Sequence, residues 1–343
     1  LGLNLPNLWL LAGGIALLMA ANLPIRPKPP TDDLVLERTA GWDGYDTALT
    51  MPWVKNPEAG WVASANDRPD YIERPAGYFF SPKDRVERMG ALVEAAGSVG
   101  FDDLAALQTD VVSTPAAELA RGLVGAADEV GVFHPLLEDL RGWDGAYGID
   151  DRAPVAFETL LYHVTRRLYG ADGRAVSSLD GRWASLQAFL LRDLEARPRR
   201  RRAELLRAAA EAAAKDAEPF AGWGEMHRVR VQHLLGNVPV LGRFFVVDDL
   251  PSPGSRETLM KRSHDLVNRR HRATFGAQSR HISDLADPDA NWFVLFGGQD
   301  GWFGSASYAD QLPLWREGRY LKLPLSEAGV RATFTRVVRT TTR

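Results

Sequence analysis

The 343-residue sequence predicts an α+β fold, and three observations carry that reading. Short apolar runs broken by turn signals fill roughly the first 80 residues, and apolar residues then recur at helical spacing as far as about residue 216. After Gly222 the strand-like runs return. Two β-rich ends flanking a helical middle read as one α+β domain rather than three independent units. The expected parts are a β-rich stretch at 1–80, a helical insertion at 81–220, a second β-rich stretch at 221–330 and a tail at 331–343.

The first element is "NLWLLAGGIALLMAANLPIR", residues 7–26. An apolar run so early in a chain reads as a secretion signal, a membrane anchor or a buried hairpin. Its apolar part, 8–21, is 14 residues long, short of the roughly 20 that span a bilayer as helix. Gly13-Gly14 lies in its middle, weakening a helix and favouring a tight turn. No Lys or Arg precedes it, so the basic region of a signal peptide is absent from the chain. Residues 8–12 and 15–21 are therefore expected to pair antiparallel across the two glycines, inside a sheet. No membrane partner is expected.

"PIRPKPPTDD" follows, and its four prolines exclude helix and central strand. In "KNPEAGWVASANDRP", Asn56-Pro57 and Gly60 set a turn before a strand at 61–65. From Lys83 the period changes: Val86, Met89, Leu92 and Val93 lie on one helical face, and Gly97 stops that helix. "FDDLAALQTDVV" opens with carboxylates in its first turn, as the helix dipole favours. "VAFETLLYHVTRRLYG", "RWASLQAFLLRDLEA" and "RAELLRAAAEAAAKDA" continue the helices. Beyond them "GRFFVVDDL", "SRHISDL", "NWFVLFGG" and "RYLKLPL" read as strands.

Charge and composition exclude several functions. A net charge of −3 gives no field for nucleic acid or an anionic membrane, and six arginines between Arg197 and Arg207 read as a solvated helix start. Zero cysteines exclude disulfides, thiolate catalysis and Cys-ligated metals. His227 and His233 are six apart, which is not the spacing of a helical zinc pair, and His227 is more simply a hydrogen-bonded structural histidine. Asp43 and Asp144, each in a "GWDG", suggest a glycosidase carboxylate pair only distantly. Trp-Asp-Gly is more simply a turn with a buried indole and a capping carboxylate. "FGGQDG" at 296–301 lacks both dinucleotide spacing and a P-loop lysine.

Taken in order, however, the motifs resemble the penicillin amidase (penicillin acylase) family of N-terminal-nucleophile hydrolases. They are "GGIALLMAANLPIR", "GWDG", "NPEAGWVASANDRP", "LQTDVVS", "LRGWDGAYGIDD", "GWGEMH", "SRHISDL", "GGQDGWFGSASYADQLPLW" and "EGRY". The resemblance covers nearly the whole chain and implies a partial αββα sandwich with helices inserted in the large subunit. It implies hydrolysis of amide bonds in N-acyl compounds such as β-lactam side chains, acyl-homoserine lactones or acylated amines. Such enzymes use an N-terminal serine freed by self-processing, whose own α-amine, of pKa about 7.7–8.0, acts as the base. Leu1 offers no nucleophile, and "GSVG", "GSRE" and "GSAS" do not resemble a processing site. The chain is expected to be the later part of a large subunit. Its expected partners are the upstream part of that subunit and the small subunit, and alone it should be inactive. A periplasmic or extracellular location is implied with the family.

The resemblance also assigns residues. The backbone N–H two before the proline of "PxR" is an oxyanion donor, which here is Asn22 before Pro24, and the arginine before "xxDL" is Arg280. Ala20 and Met260 are expected against the substrate. The family's side-chain oxyanion donor is an Asn about twenty residues before that arginine. Here "ETLMK" puts Met260 in its place, and Asn268 is the nearest substitute. Loss of such a donor typically costs ~10²–10³ in turnover, so an inactive acyl-binding module of the same fold is the second reading. A membrane-anchored helical scaffold, resting on the opening run alone, is the third. Asp300 stands in "GGQDG" where serine is usual. Some relatives bind calcium after "PxR", but Arg26, Lys28 and Pro29 offer no carboxylate, so no metal or cofactor is expected.

Overall fold

A computed structural model of the chain describes residues 7–10, 23–25, 44–47, 56–68, 80–170 and 183–336. Gly13-Gly14, residues 15–21 with Ala20, and Asn22 and Asp43 lie outside these residues, so the expected hairpin turn and two of the assigned site residues do as well. The chain divides into two compact units, Leu1–Val86 and Glu87–Arg343.

In the first unit, strand β1 (Asn7–Leu10) pairs antiparallel with β4 (Trp61–Ser64), Asn7 opposite Ser64 and Leu10 opposite Trp61. The opening run is thus strand at residues 7–10, with a partner some fifty residues on. Between them β2 (Leu23–Pro24) and β3 (Tyr45–Asp46) form a second antiparallel pair, extended by the Ile25 amide donating to the Gly44 carbonyl. The expected turn before β4 is present: Gly60 N donates to the Pro57 carbonyl at 2.9 Å, with φ of +75° at Gly60. Arg85 is buried in this unit and donates to the Ala65 carbonyl (2.5 Å) and to Asn66 Oδ1 (3.3 Å), locking the "AN" of the motif.

Helix α1 (Asp84–Ala96) stops at Gly97, whose amide donates back to Val93. In the second unit α2 (Phe101–Gln108) is followed by α3 (Thr114–Glu129), capped by Ser113 with Pro at its first turn. A short α4 (Pro135–Glu138), α5 (Ala153–Tyr169), α6 (Trp183–Glu195) and α7 (Arg199–Ala217) complete the helical layer. Helix α5 is its centre, buried almost all round, and α7 lays Leu206, Ala209, Ala210, Ala213 and Ala217 into the same core. The arginine run is the solvated start of α7, with Arg200 and Arg201 on Glu204 and Arg202 on Glu129.

A last turn of helix, α8 (Trp223–Met226), leads into β5 (His227–Gln232), whose burial alternates residue by residue. β5 pairs antiparallel with β6 (Val246–Pro251) on one side. Two short strands follow: β7 (Arg262–Ser263), and β8 (His271–Arg272), which runs parallel to the other side of β5. β9 (Phe275–Gly276) pairs with β7. β10 (Ser279–Ser283), β11 (Asn291–Leu295) and β12 (Leu321–Lys322) form an antiparallel sheet, with α9 (Leu312–Arg316) before its last strand and α10 (Glu327–Thr333) after it. Among the described residues no helix is long and apolar enough to cross a membrane.

Candidate active site

The site is built where three of the sequence motifs meet. Gln108, at the end of α2, donates to the His281 carbonyl on β10 (2.9 Å) and accepts from the Tyr320 hydroxyl of "EGRY" (2.8 Å). Phe101 packs against Trp292 and Tyr320, fixing α2 on the sheet. Two residues on, Asp110 is gripped by Arg88 through both carboxylate oxygens (3.2 and 2.6 Å). The Asp110 carbonyl then receives the Met260 amide at 2.9 Å, which sets the segment carrying the expected oxyanion donor.

Met260 and Arg280 are brought together. Arg280, opposite Val294 in the β10–β11 register, is 3% exposed, and its Nη2 lies 3.8 Å from Met260 Sδ. Its Nη1 donates to the Trp315 carbonyl (2.8 Å), and its guanidinium lies 4.1 Å from the centre of the Trp315 ring. Arg280 is thus no surface residue, and it makes no ion pair with Asp284 or Asp287 of the following turn. Arg262, which sequence reasoning missed, is equally buried and lies 4.4 Å from the same ring and 4.5 Å from Phe296. Among the described residues neither guanidinium has a carboxylate within ion-pair distance. Burial pulls Arg262 down to about 9, with the Arg280 charge adding to it, and burial pulls Arg280 down to about 10. Both stay cationic at neutral pH. The result is two dry, uncompensated positive charges around one indole, an arrangement that favours negative charge developing nearby.

A second buried cluster looks catalytic and is not. Ser255 Oγ lies 3.1 Å from His264 Nε2, a nucleophile–base spacing. Glu158, however, sits against that same nitrogen (3.7 Å) instead of orienting the ring through the other, and all three residues are buried. Glu158 accepts from Arg256 (3.0 Å) and from the Tyr147 hydroxyl (3.0 Å), so the cluster is a neutralised lock between α5 and the segment before β7. Beside it His227, His264 and His271 stand 4.7–5.0 Å apart, with Trp223 stacked on His227. His227 is structural as expected, but neither ring nitrogen has a hydrogen-bond partner among the described residues, which corrects the expectation of a bonded ring. Desolvation holds it neutral, well below the usual histidine value.

The remaining candidates resolve locally. Asn268 donates to Asp216 Oδ2 (2.6 Å), beside His163 of α5, so its amide is committed to the helical layer. Asp144 accepts the Ala146 amide (2.9 Å) while the indole of buried Trp143 donates to the Ala146 carbonyl, making the turn that Trp-Asp-Gly suggests. Asp300 binds the Trp302 amide and the Ser305 hydroxyl, both at 2.5 Å, so it shapes its own loop. Among the described residues no group of three or more His, Asp or Glu is placed to hold a metal.

The family model described as Penicillin amidase matches residues 11–332. The chain is 27% identical over 332 residues to the penicillin acylase 2 proenzyme of Pseudomonas sp. (strain SE83), covering 89% of this chain and 42% of that protein. It is 24% identical over 338 residues to the acyl-homoserine lactone acylase QuiP of Pseudomonas putida, covering 83% of this chain and 40% of QuiP. A thermostable penicillin G acylase from Alcaligenes faecalis superposes with a TM-score of 0.55 at 16% identity, over 94% of this chain and 64% of that one. That likeness establishes the fold.

Proposed function

The chain belongs to the penicillin amidase family, and on that premise we propose that it is the Arg280-bearing part of a hydrolase that cleaves amide bonds in N-acyl small molecules. Its fold is that of the N-terminal-nucleophile hydrolases. It spans about two fifths of the length of the curated relatives it matches, 42% and 40%. The attacking serine and its own α-amine base are accordingly assigned to the rest of the large subunit, with the small subunit as its partner. The names of the relatives direct the substrate choice to β-lactam acyl side chains, acyl-homoserine lactones or related acylated amines.

One observation carries this reading: a buried guanidinium, fixed by the Trp315 carbonyl and ring, with no carboxylate answering it among the described residues. As the serine oxygen attacks, the acyl carbonyl oxygen gains negative charge. The Asn22 amide is proposed to donate to that oxygen, and Arg280 to lower its energy through the low effective dielectric of a closed site. Met260 supplies no strong donor, since a thioether only accepts, and weakly. The charge of Arg280 and its neighbour therefore replaces part of what a neutral amide donor gives elsewhere in the family.

The test is kinetic, on the chain within its full-length context. Arg280→Gln should lower kcat for a chromogenic N-acyl amide by ~10²-fold with little change in KM, the pattern of an interaction made in the transition state. Undiminished turnover would reject the assignment. A second reading, an inactive acyl-binding module, is favoured by Met260 alone. It requires that the parent protein bind acyl carboxylates without turnover and that Met260→Asn create activity where there was none.

A further inference from the structure

A cleft of about 820 Å³ opens beside the β6–β5–β8 sheet, lined by four arginines and three carboxylates. The register of the parallel β5–β8 pair sets Arg228 directly beside Arg272, a like-charge pair that costs stability unless an anion answers it. Asp249 on β6 answers both, at 3.1 Å from Arg228 Nε and 2.8 Å from Arg272 Nη2, and also faces Arg230 at 3.9 Å. One carboxylate thus serves three guanidiniums.

The cleft wall continues the excess. Arg269 and Arg270 are exposed and form no ion pair among the described residues, and Arg270 Nε is held by the Glu225 carbonyl at 2.8 Å. Glu225 turns one carboxylate oxygen to the Ala221 amide (2.9 Å) and, with the exposed Asp265, remains a counter-charge, so the arginines outnumber the carboxylates of the cleft by one. His271 lies between the arginines with Nδ1 3.0 Å from the Arg269 carbonyl, so the ring donates there and helps fix the loop. A concave wall of guanidiniums, two of them unpaired and one anchored through its backbone contact, is preorganised for bidentate oxygen ligands.

We propose that this cleft binds a small multivalent oxyanion, a polycarboxylate or a phosphate, through Arg269, Arg270 and Arg272. The inference is independent of the amidase reading, because it concerns other residues and other chemistry.

Calorimetric titration of the chain within its full-length context with sodium citrate and with sodium pyrophosphate, at ionic strength held constant with NaCl, tests it. Saturable one-to-one binding is expected with Kd below about 10 mM for at least one of the two. The double variant Arg269→Gln/Arg270→Gln should weaken binding at least about tenfold, as loss of charge-assisted hydrogen bonds implies. Its thermal unfolding without ligand should be unchanged, since both side chains are exposed. Asp249→Asn should tighten binding by removing the competing carboxylate. If that variant unfolds, the Arg269/Arg270 result alone decides. Preference for citrate identifies the site as one for carboxylates, and preference for pyrophosphate as one for phosphates. Absence of saturable binding by both anions, or binding unaltered in the double variant, overturns the proposal.

Discussion

Two buried arginines in the second unit have opposite surroundings. Arg256 is 6% exposed and meets Glu158 at 3.0 Å, with Tyr147 and His264 closing the same network. Arg280 is 3% exposed and rests on an indole, a carbonyl and a thioether. Burial of a cation is costly unless its charge is answered. Where the answer is present, as at Arg256, removing either partner breaks a structural lock. Where none is found among the described residues, as at Arg280, the fold bears an unanswered charge, and that is the ground on which a part in the chemistry is proposed for it. The same residue type is thus architectural in one place and, under the proposed function, catalytic support in the other.

The comparison breaks most sharply at Glu158. Glu158→Gln removes the carboxylate that meets Arg256 and should cost about 3–5 kcal/mol of folding stability, read from urea unfolding. A loss below about 1 kcal/mol would show that the network is not a lock. The histidines beside it come next. Burial holds His227 and His264 well below the usual value and His271 down to about 4, with Arg256 and the neighbouring rings pushing the same way. These rings are depressed in the fold, so the stability they confer is complete above about pH 6.5 and is lost as pH falls from there toward 4. Each ring contributes up to about 1.4 kcal/mol per pH unit in that window, and unfolding free energies measured between pH 7.5 and 5 should fall accordingly. A flat profile would mean that the rings are solvated.

Arg280→Met sharpens the contrast from the other side. Exchanging an uncompensated buried cation for an apolar side chain should change stability by no more than about 2 kcal/mol, while Arg256→Met costs more. Equal losses in thermal unfolding would erase the distinction. The smallest effect is expected at Arg141, which bridges Glu138 and Asp128 on the surface of the helical layer. Arg141→Ala should leave the melting temperature unchanged in 0.5 M salt, because exposed ion pairs are screened.

Local signals in the sequence were read well because each carries its own physics. Gly97 and the 3–4 spacing before it specify α1, and Asn56-Pro57 with Gly60 specifies the turn before β4. The Ser113-Thr-Pro cap specifies the start of α3 just as locally. Pairing over distance was harder. Nothing in residues 7–10 says that their partner is 61–64. At the site, Met260 and Arg280 were named through the family pattern, whereas Arg262 was missed because an arginine among polar residues has no periodic signature of burial. Trp315 belonged to a quoted motif, but its role as a platform between two guanidiniums depends on α9 docking against β11, which spacing does not encode. The histidine cluster was likewise hidden, since its members come from β5, β8 and the segment between β7 and β8.

The Gln108 amide joins the end of α2 to His281 and to Tyr320, across 173 and 212 positions of sequence. During synthesis on a ribosome these bonds can form only after the intervening residues have emerged. Helix α2 emerges early, but its docking sheet is complete only when β12 has left the exit tunnel. Until then Phe101 lacks Tyr320, one of its two aromatic partners, and the segment bearing Met260 meets Asp110 without the complete sheet behind it. The segment reaching Tyr320 therefore acts as a time stamp on maturation, delaying full support of the Arg280 centre until 212 positions beyond Gln108 have been made.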